Sequence, residues 1–242
     1  MGAIITKNLT KCYKDVTAVN HLSLTIRKGE LFSLLGVNGA GKTTLIKLLS
    51  CLTVPTEGDA LLMGKSITQD PSAVKSLIAV SPQETAVAPG LTVEENLSLI
   101  CGIHGFSKEK KLRKIQELTT LLSLDPVLNR KAGKLSGGWQ RRLSIAMALI
   151  SEPEILFLDE PTLGLDVLAR SELWDMIRSL KGEITIVLTT HYMEEAEALS
   201  DRIAILKEGK LLLCDTADRI KEIAGTTNFE QAFIRIVKGD SQ

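Results

Sequence analysis

Read for the alternation of apolar and polar positions, the chain opens as strands. "AIITKNLTKCY" and "VTAVNHLSLTI" carry β-branched residues in rough alternation, the spacing of strands with one buried face. "ELFSLLG" is a continuous apolar run and predicts a buried strand. The period then changes. From residue 42 to about 51 the pattern is helical, and Pro55 and Gly58 mark a turn before "DALLMG". "SLIAVSPQE" predicts a strand that breaks at Pro82. Over 91–124 the pattern is helical again, with Thr92 and Glu95 at the spacing of a capping box. A further helix follows the turn "KLSGG". The stretch 91–150 therefore predicts a helical lobe set into an α/β core built from 1–90 and 151–242. Beyond it, "EILFLDE", "VLARSELWDMIRSL", "EITIVLTT", "MEEAEALS" and "RIAILKEGKLLLC" alternate strand with helix, the order of a mostly parallel sheet flanked by helices.

Composition narrows the function classes more than the fold. The 242 residues are 44% hydrophobic, enough for one good-sized core. Lysine plus arginine equals aspartate plus glutamate at 29 each, so the chain lacks the basic footprint of a general nucleic-acid binder. The densest basic run, "SKEKKLRK", reads as a solvated helix face. Cys12, Cys51, Cys101 and Cys214 lie far apart without a Cys-x-x-Cys pair, which predicts reduced thiols and no zinc site. No window approaches the roughly 18 apolar residues of a spanning helix. The opening lacks the apolar core of a signal peptide.

The chemistry begins at "GVNGAGKTT", directly after a predicted strand. Gly36, Gly41, Lys42 and Thr43 stand at phosphate-loop spacing. Glycines there let backbone N–H groups turn inward around phosphate oxygens. Lys42 adds a point charge toward the β and γ phosphates, and the Thr43 hydroxyl can hold Mg²⁺. Such a loop needs a metal-side carboxylate on a neighbouring strand. "EILFLDE" supplies Asp159 for the Mg²⁺ shell, and Glu160 to polarise a water for in-line attack. "KLSGGWQRRLSIAMAL" offers no metal ligand and no base for Ser136, only two glycines opening a helix, and a helix N-terminus attracts anions.

Together, "LSGGWQ" after a phosphate loop and before "ILFLDEP" resembles the signature motif of the ATP-binding cassette (ABC) ATPases, and the resemblance covers nearly the whole chain. "PTLGLD" resembles that family's D-loop, ending at Asp166, with Gly164 at a position that often varies. Gln83 resembles its Q-loop glutamine, His191 its switch histidine, and Tyr13 the aromatic residue that stacks on adenine. The resemblance implies a P-loop NTPase fold, with a RecA-like parallel core, an N-terminal antiparallel β-subdomain and an inserted helical subdomain. It implies catalysis by Glu160, His191, Gln83 and Lys42. ATP would lie against Tyr13, Val19, Asn38, Gly39, Ala40, Gly41, Lys42, Thr43, Thr44 and Gln83. Mg²⁺ would lie on Thr43, Gln83 and Asp159. In the family two cassettes pair head to tail, so Ser136, Gly137, Gly138 and Asp166 would serve the partner's nucleotide. Trp139 departs from the family pattern, which usually has glutamine there.

"HYMEEAEALSDRIAILKEGKLL" and "NFEQAFIRI" resemble bacterial exporter ATPases that power separate membrane subunits. The implied protein is one ATPase subunit on the cytoplasmic face of the membrane, paired with a second cassette and with integral membrane permease subunits. The lobe and the segment after Gln83 would form a groove receiving a short helix of that partner. The alternative is a soluble ABC ATPase acting on ribosomes or DNA. No fused second cassette, coiled coil or zinc module is visible, and the neutral charge gives no reason to expect nucleic acid. A P-loop kinase has no place for the signature motif, and a GTPase would need an Asn-Lys-x-Asp string that is absent.

Overall fold

The computed structural model describes residues 2–239; Met1, half of the Met-Gly opening, and 240–242 lie outside the described residues. The alternating opening forms β1 (Gly2–Tyr13), β2 (Val16–Leu22) and β3 (Thr25–Arg27). With β5 (Glu57–Leu62) and β6 (Lys65–Ser66) they make an antiparallel sheet in which β1 is central. The continuous apolar run becomes β4 (Leu31–Leu35), buried at every position, and it leaves that sheet for another. The second sheet contains β7 (Ile78–Ser81), β8 (Ile155–Asp159), β9 (Thr185–Thr190), β10 (Arg202–Lys207) and β11 (Lys210–Asp215). Its order is β11-β10-β4-β9-β8-β7, parallel throughout except for the β10–β11 hairpin.

The apolar runs are continuous because this sheet is covered on both faces. On β8, Ile155 and Phe157 pack with Phe32, Leu34, Val187 and the antiparallel sheet; Leu156 and Leu158 pack on the opposite cluster with Leu31, Ile186 and Leu188. Helices α1 (Lys42–Leu49) and α2 (Pro71–Leu77) close the first face through Leu45, Leu48 and Val74. Helix α6 (Val167–Ser179) closes the second through Leu173 and Ile177. Helices α7 (Met193–Leu199), α8 (Ala217–Ile223) and α9 (Phe229–Lys238) form a third cluster over β10, where Phe229 and Phe233 of the tail are buried.

The expected lobe comprises α3 (Val93–Ile103), α4 (Lys108–Leu121) and α5 (Gly137–Leu149). Its capping box forms: Glu95 N donates to Thr92 Oγ1 at 3.1 Å and Thr92 N to Glu95 Oε2 at 2.7 Å. Packing does not break at 91 or 150, however. Val93, Leu97, Ile115 and Leu118 share one cluster with Leu156 and Leu188, and α5 lies against β7. The basic run is not uniformly solvated either. Lys114 is nearly buried and pairs with Glu117 at 2.8 Å and Glu152 at 3.3 Å, its stem covering apolar surface while its ammonium ties α4 to the turn before β8. No helix among the described residues is long and apolar enough to cross a membrane.

Trp139 lies in the first turn of α5, half buried against the cluster that joins lobe and sheet. The Arg142 guanidinium stands 5.0 Å from its ring and pairs with Glu172 of α6. Trp139 is thus an anchor for the signature helix. Trp139→Gln removes that apolar area and the cation–π contact, and should cost about 1–3 kcal/mol. The melting temperature should fall by roughly 2–12 °C, as read by differential scanning calorimetry; an unchanged value would contradict the anchoring role.

Candidate active site

The phosphate loop leaves β4 at Gly36 and enters α1 at Lys42, between two walls of backbone. Gly41 has φ 98°, and a Cβ there would stand 2.3 Å from the Ala18 carbonyl oxygen. A Cβ on Gly36 would come within 2.6 Å of the Leu206 carbonyl oxygen. Only glycine lets the loop lie this close to β2 and β10. The turn after β10 helps hold it, with Gly209 N donating to the Ala40 carbonyl at 3.1 Å.

Lys42 is turned into the loop. Its Nζ donates to Gly36 O at 2.6 Å and Val37 O at 3.4 Å, and stands 3.8 Å from Glu160 Oε1. Burial pushes its ammonium below the ordinary lysine value, while Glu160 and Asp159 act in the opposite direction. Asp159 ends β8 opposite Thr189 of β9, whose hydroxyl donates to Asp159 Oδ1. Thr43 Oγ1 is 3.5 Å from the same oxygen, so one hydroxyl and one carboxylate converge beside the phosphate loop.

Glu160 leaves the strand in a left-handed conformation, φ 46°, uncommon for a residue with a side chain. Its N–H donates to Thr189 O at 3.2 Å and Thr189 Oγ1 at 3.0 Å, which holds that turn. Its Oε1 lies 3.2 Å from His191 Nδ1, but out of line for a hydrogen bond, and this ring nitrogen has no hydrogen-bond partner.

Lys42, Thr43, Glu160 and His191 face a cleft of roughly 810 Å³, lined also by Val16, Thr17, Ala18, Asn38, Gly39, Ala40, Gly41, Thr44, Gln83, Leu163 and Glu208; Asp159 is buried and outside the lining. Two expected nucleotide contacts are not among them. Val19 is 1% exposed and packs in the apolar cluster with Leu9 and Leu22, while Val16, Thr17 and Ala18 line the cleft. Tyr13 is half exposed at the end of β1, with the Lys11 ammonium 5.0 Å from its ring, outside the cleft lining.

Ser136, Gly137, Gly138 and Asp166 also lie outside this cleft. Ser136 is the exposed N-cap residue of α5, yet its hydroxyl makes no cap hydrogen bond. A Cβ on Gly138 would come within 3.1 Å of Ala169, so the start of α5 lies against the start of α6. Asp166 caps α6, accepting from Ala169 N at 2.9 Å.

Three contributors escaped sequence reasoning. Thr189 is found only through strand register, and Arg141 only through the hydrogen bonds described below. Glu195, fully buried on α7, accepts from Trp174 Nε1 at 3.1 Å; burial pushes its carboxyl above the usual range. An acid inside "MEEAEAL" carries no sequence mark separating it from its exposed neighbours.

Comparison with known proteins agrees with this geometry. Residues 19–163 match the family model described as ABC transporter. The chain is 40% identical over 228 residues to the doxorubicin resistance ATP-binding protein DrrA of Mycobacterium tuberculosis, covering 93% of this chain and 69% of that one. Among solved structures, it is similar to an ATP-binding subunit of an ABC transporter, with TM-score 0.84 and 27% identity over 97% of this chain and 99% of that one. A second is a dimeric ATP-binding cassette in a post-hydrolysis state bound to ADP and Pi, with TM-score 0.78 and 29% identity over 88% of this chain and 98% of that one. Phosphate loop, strand-end acids, signature helix and these likenesses agree: the chain belongs to the ABC transporter family, as one of its ATP-binding and ATP-hydrolysing cassettes.

Proposed function

We propose that this cassette pairs head to tail with a second one around two ATP molecules, and powers export through separate integral membrane subunits at the cytoplasmic face. The observation that carries the reading is the unused Ser136 hydroxyl, exposed at the N-terminus of α5 and outside its own chain's cleft. A helix N-terminus with a free hydroxyl and two glycines suits a phosphate presented by another chain. The drug-resistance relative supports export as the direction. A groove of roughly 440 Å³ between Lys75, Ile78 and Val80 on one side and His104, Met147 and Ser151 on the other is lined by the lobe but not by the expected segment after Gln83, and it suits a short helix of the membrane partner.

In the mechanism, backbone N–H groups of 38–43 cradle the phosphates, and Lys42 exchanges its carbonyl partners for phosphate oxygens. Thr43, Asp159 and Gln83 would hold Mg²⁺: these are oxygen donors, as that ion requires, and no cluster of three or more His, Cys, Asp or Glu among the described residues competes with phosphate and water as ligands. When bound, the ion offsets negative charge on the β and γ phosphates. Glu160 orients and polarises the attacking water, and His191 beside it contacts the γ-phosphate. The leaving products are ADP and phosphate. Their loss removes what the two signature helices hold, and the pair opens.

Three outcomes test this. Lys42→Ala should weaken ATP binding by about tenfold or more, the roughly 1.5–3 kcal/mol of a charge-assisted contact, with the fold intact; calorimetric titration reads it, and unchanged affinity would refute the assignment. Glu160→Gln should still bind ATP while turnover drops about 10²–10⁴-fold, and dimers should accumulate with ATP and Mg²⁺ on size exclusion. Ser136→Arg should abolish hydrolysis without weakening ATP binding to the monomer. Wild-type turnover in that variant would mean that the signature helix does not act on the partner's nucleotide.

A further inference from the structure

Arg141 is 4% exposed, one and a half turns into α5, and the paired-cassette reading above gives it no role. Its two outer nitrogens reach back to the far end of β7. Nη1 donates to the Pro82 carbonyl at 2.6 Å and Nη2 to the Gln83 carbonyl at 2.6 Å. One turn further along α5, the Ser144 hydroxyl meets that of Ser81 at 3.0 Å, also buried. The signature helix is therefore tied twice to the segment that carries Gln83 into the nucleotide cleft.

Both Arg141 hydrogen bonds end on carbonyls, not on a carboxylate. Burial pushes the guanidinium below its ordinary value, and Asp159 and Glu195 oppose this without touching it. Desolvating a cation to hold two carbonyls is a poor way to gain stability, since an apolar side chain could fill the same space. What the fork adds is direction: a planar guanidinium bonded to two successive carbonyls fixes the orientation of that backbone relative to the helix. Ser136 lies five residues earlier on the same helix, about 7.5 Å along its axis. A rigid helix carries a displacement at Arg141 to Ser136 with little loss.

We infer that Arg141 is a positioning residue that couples the nucleotide cleft of its own chain, sensed at Gln83, to the placement of Ser136 for the nucleotide of the partner cassette. This rests on the two-cassette reading and adds the connection that makes each site depend on the other. When Gln83 shifts toward a bound nucleotide, its carbonyl and that of Pro82 move with it. The fork then turns α5 so that its N-terminus faces outward in register with a partner. Without the fork, the cleft still binds ATP, but the signature helix is no longer set by it.

The test compares Arg141→Gln and Arg141→Lys, each alone and in the Glu160→Gln background, with Ile115→Val as a control that loosens the lobe core without touching the tie. Monomer affinity for ATP should stay within about threefold. In Arg141→Gln, kcat should fall about tenfold or more at nearly constant KM, a loss of an interaction made only in the assembled state. In the Glu160→Gln background the ATP concentration needed for dimerisation should rise by a similar factor. Arg141→Lys, which keeps the charge but can serve the two carbonyls less well, should fall between. Ile115→Val should lower the melting temperature and leave kcat and dimerisation unchanged. Normal kcat and dimerisation in Arg141→Gln would overturn the inference, as would an equal loss in Ile115→Val. If Arg141→Gln does not fold, Arg141→Lys decides: wild-type kcat there refutes the coupling. If Glu160→Gln with Arg141 intact forms no dimer with ATP, the two-cassette reading falls and takes the inference with it.

Discussion

Parallel pairing of β4, β9 and β8 is the constraint on which the site depends. Leu35 lies opposite Thr190 and Asp159 opposite Thr189, so the carboxyl ends of the three strands finish at one level. Chains leaving parallel strands at a common edge deliver their loops to one crevice. The phosphate loop follows β4, Glu160 follows β8, His191 follows β9, and Gln83 follows the neighbouring β7. A shift of register by one residue would turn Asp159 to the other face of its strand and separate Thr189 from Glu160. The buried alternation of β8 between two apolar clusters is what prevents it.

The crevice so formed gathers charged and polar groups. Lys42 sits on carbonyls that phosphate must replace, and the left-handed turn at Glu160 is pinned by both polar atoms of Thr189. Beside them, His191 Nδ1 has no hydrogen-bond partner. Such groups are costly in a folded protein with nothing to bind, and their convergence is what a site awaiting an anion requires. Ser136 and the glycines open a helix outside this cleft, so on the two-cassette reading proposed above a single chain presents two incomplete sites.

Some of this was open to inspection in the linear chain. "GVNGAGKTT" states its geometry because only glycine tolerates the backbone approach found at Gly36 and Gly41, and a Lys followed by Thr at a helix start has few other uses. Thr92 and Glu95 declared a helix start because their hydrogen bonds are local. Asp159 and Glu160 stand out because a phosphate loop needs a carboxylate at the end of a neighbouring strand, and this apolar run ends in two acids. Val19 and Lys114 were misplaced for the opposite reason: which face of a strand or helix is covered depends on a neighbour far away in sequence.

The chain by itself thus determined the elements, the phosphate loop and the acids that accompany it, since spacing, glycine sterics and capping act over a few residues. Tertiary structure alone decided which strands are neighbours, that Thr189 supports both Asp159 and Glu160, and that Arg141 grips carbonyls 58 and 59 residues away. It also decided that α5, assigned by sequence to the lobe, is tied to the sheet. Those contacts arise from register and packing between distant segments, and the burial that makes them strong exists only after the two sides have met.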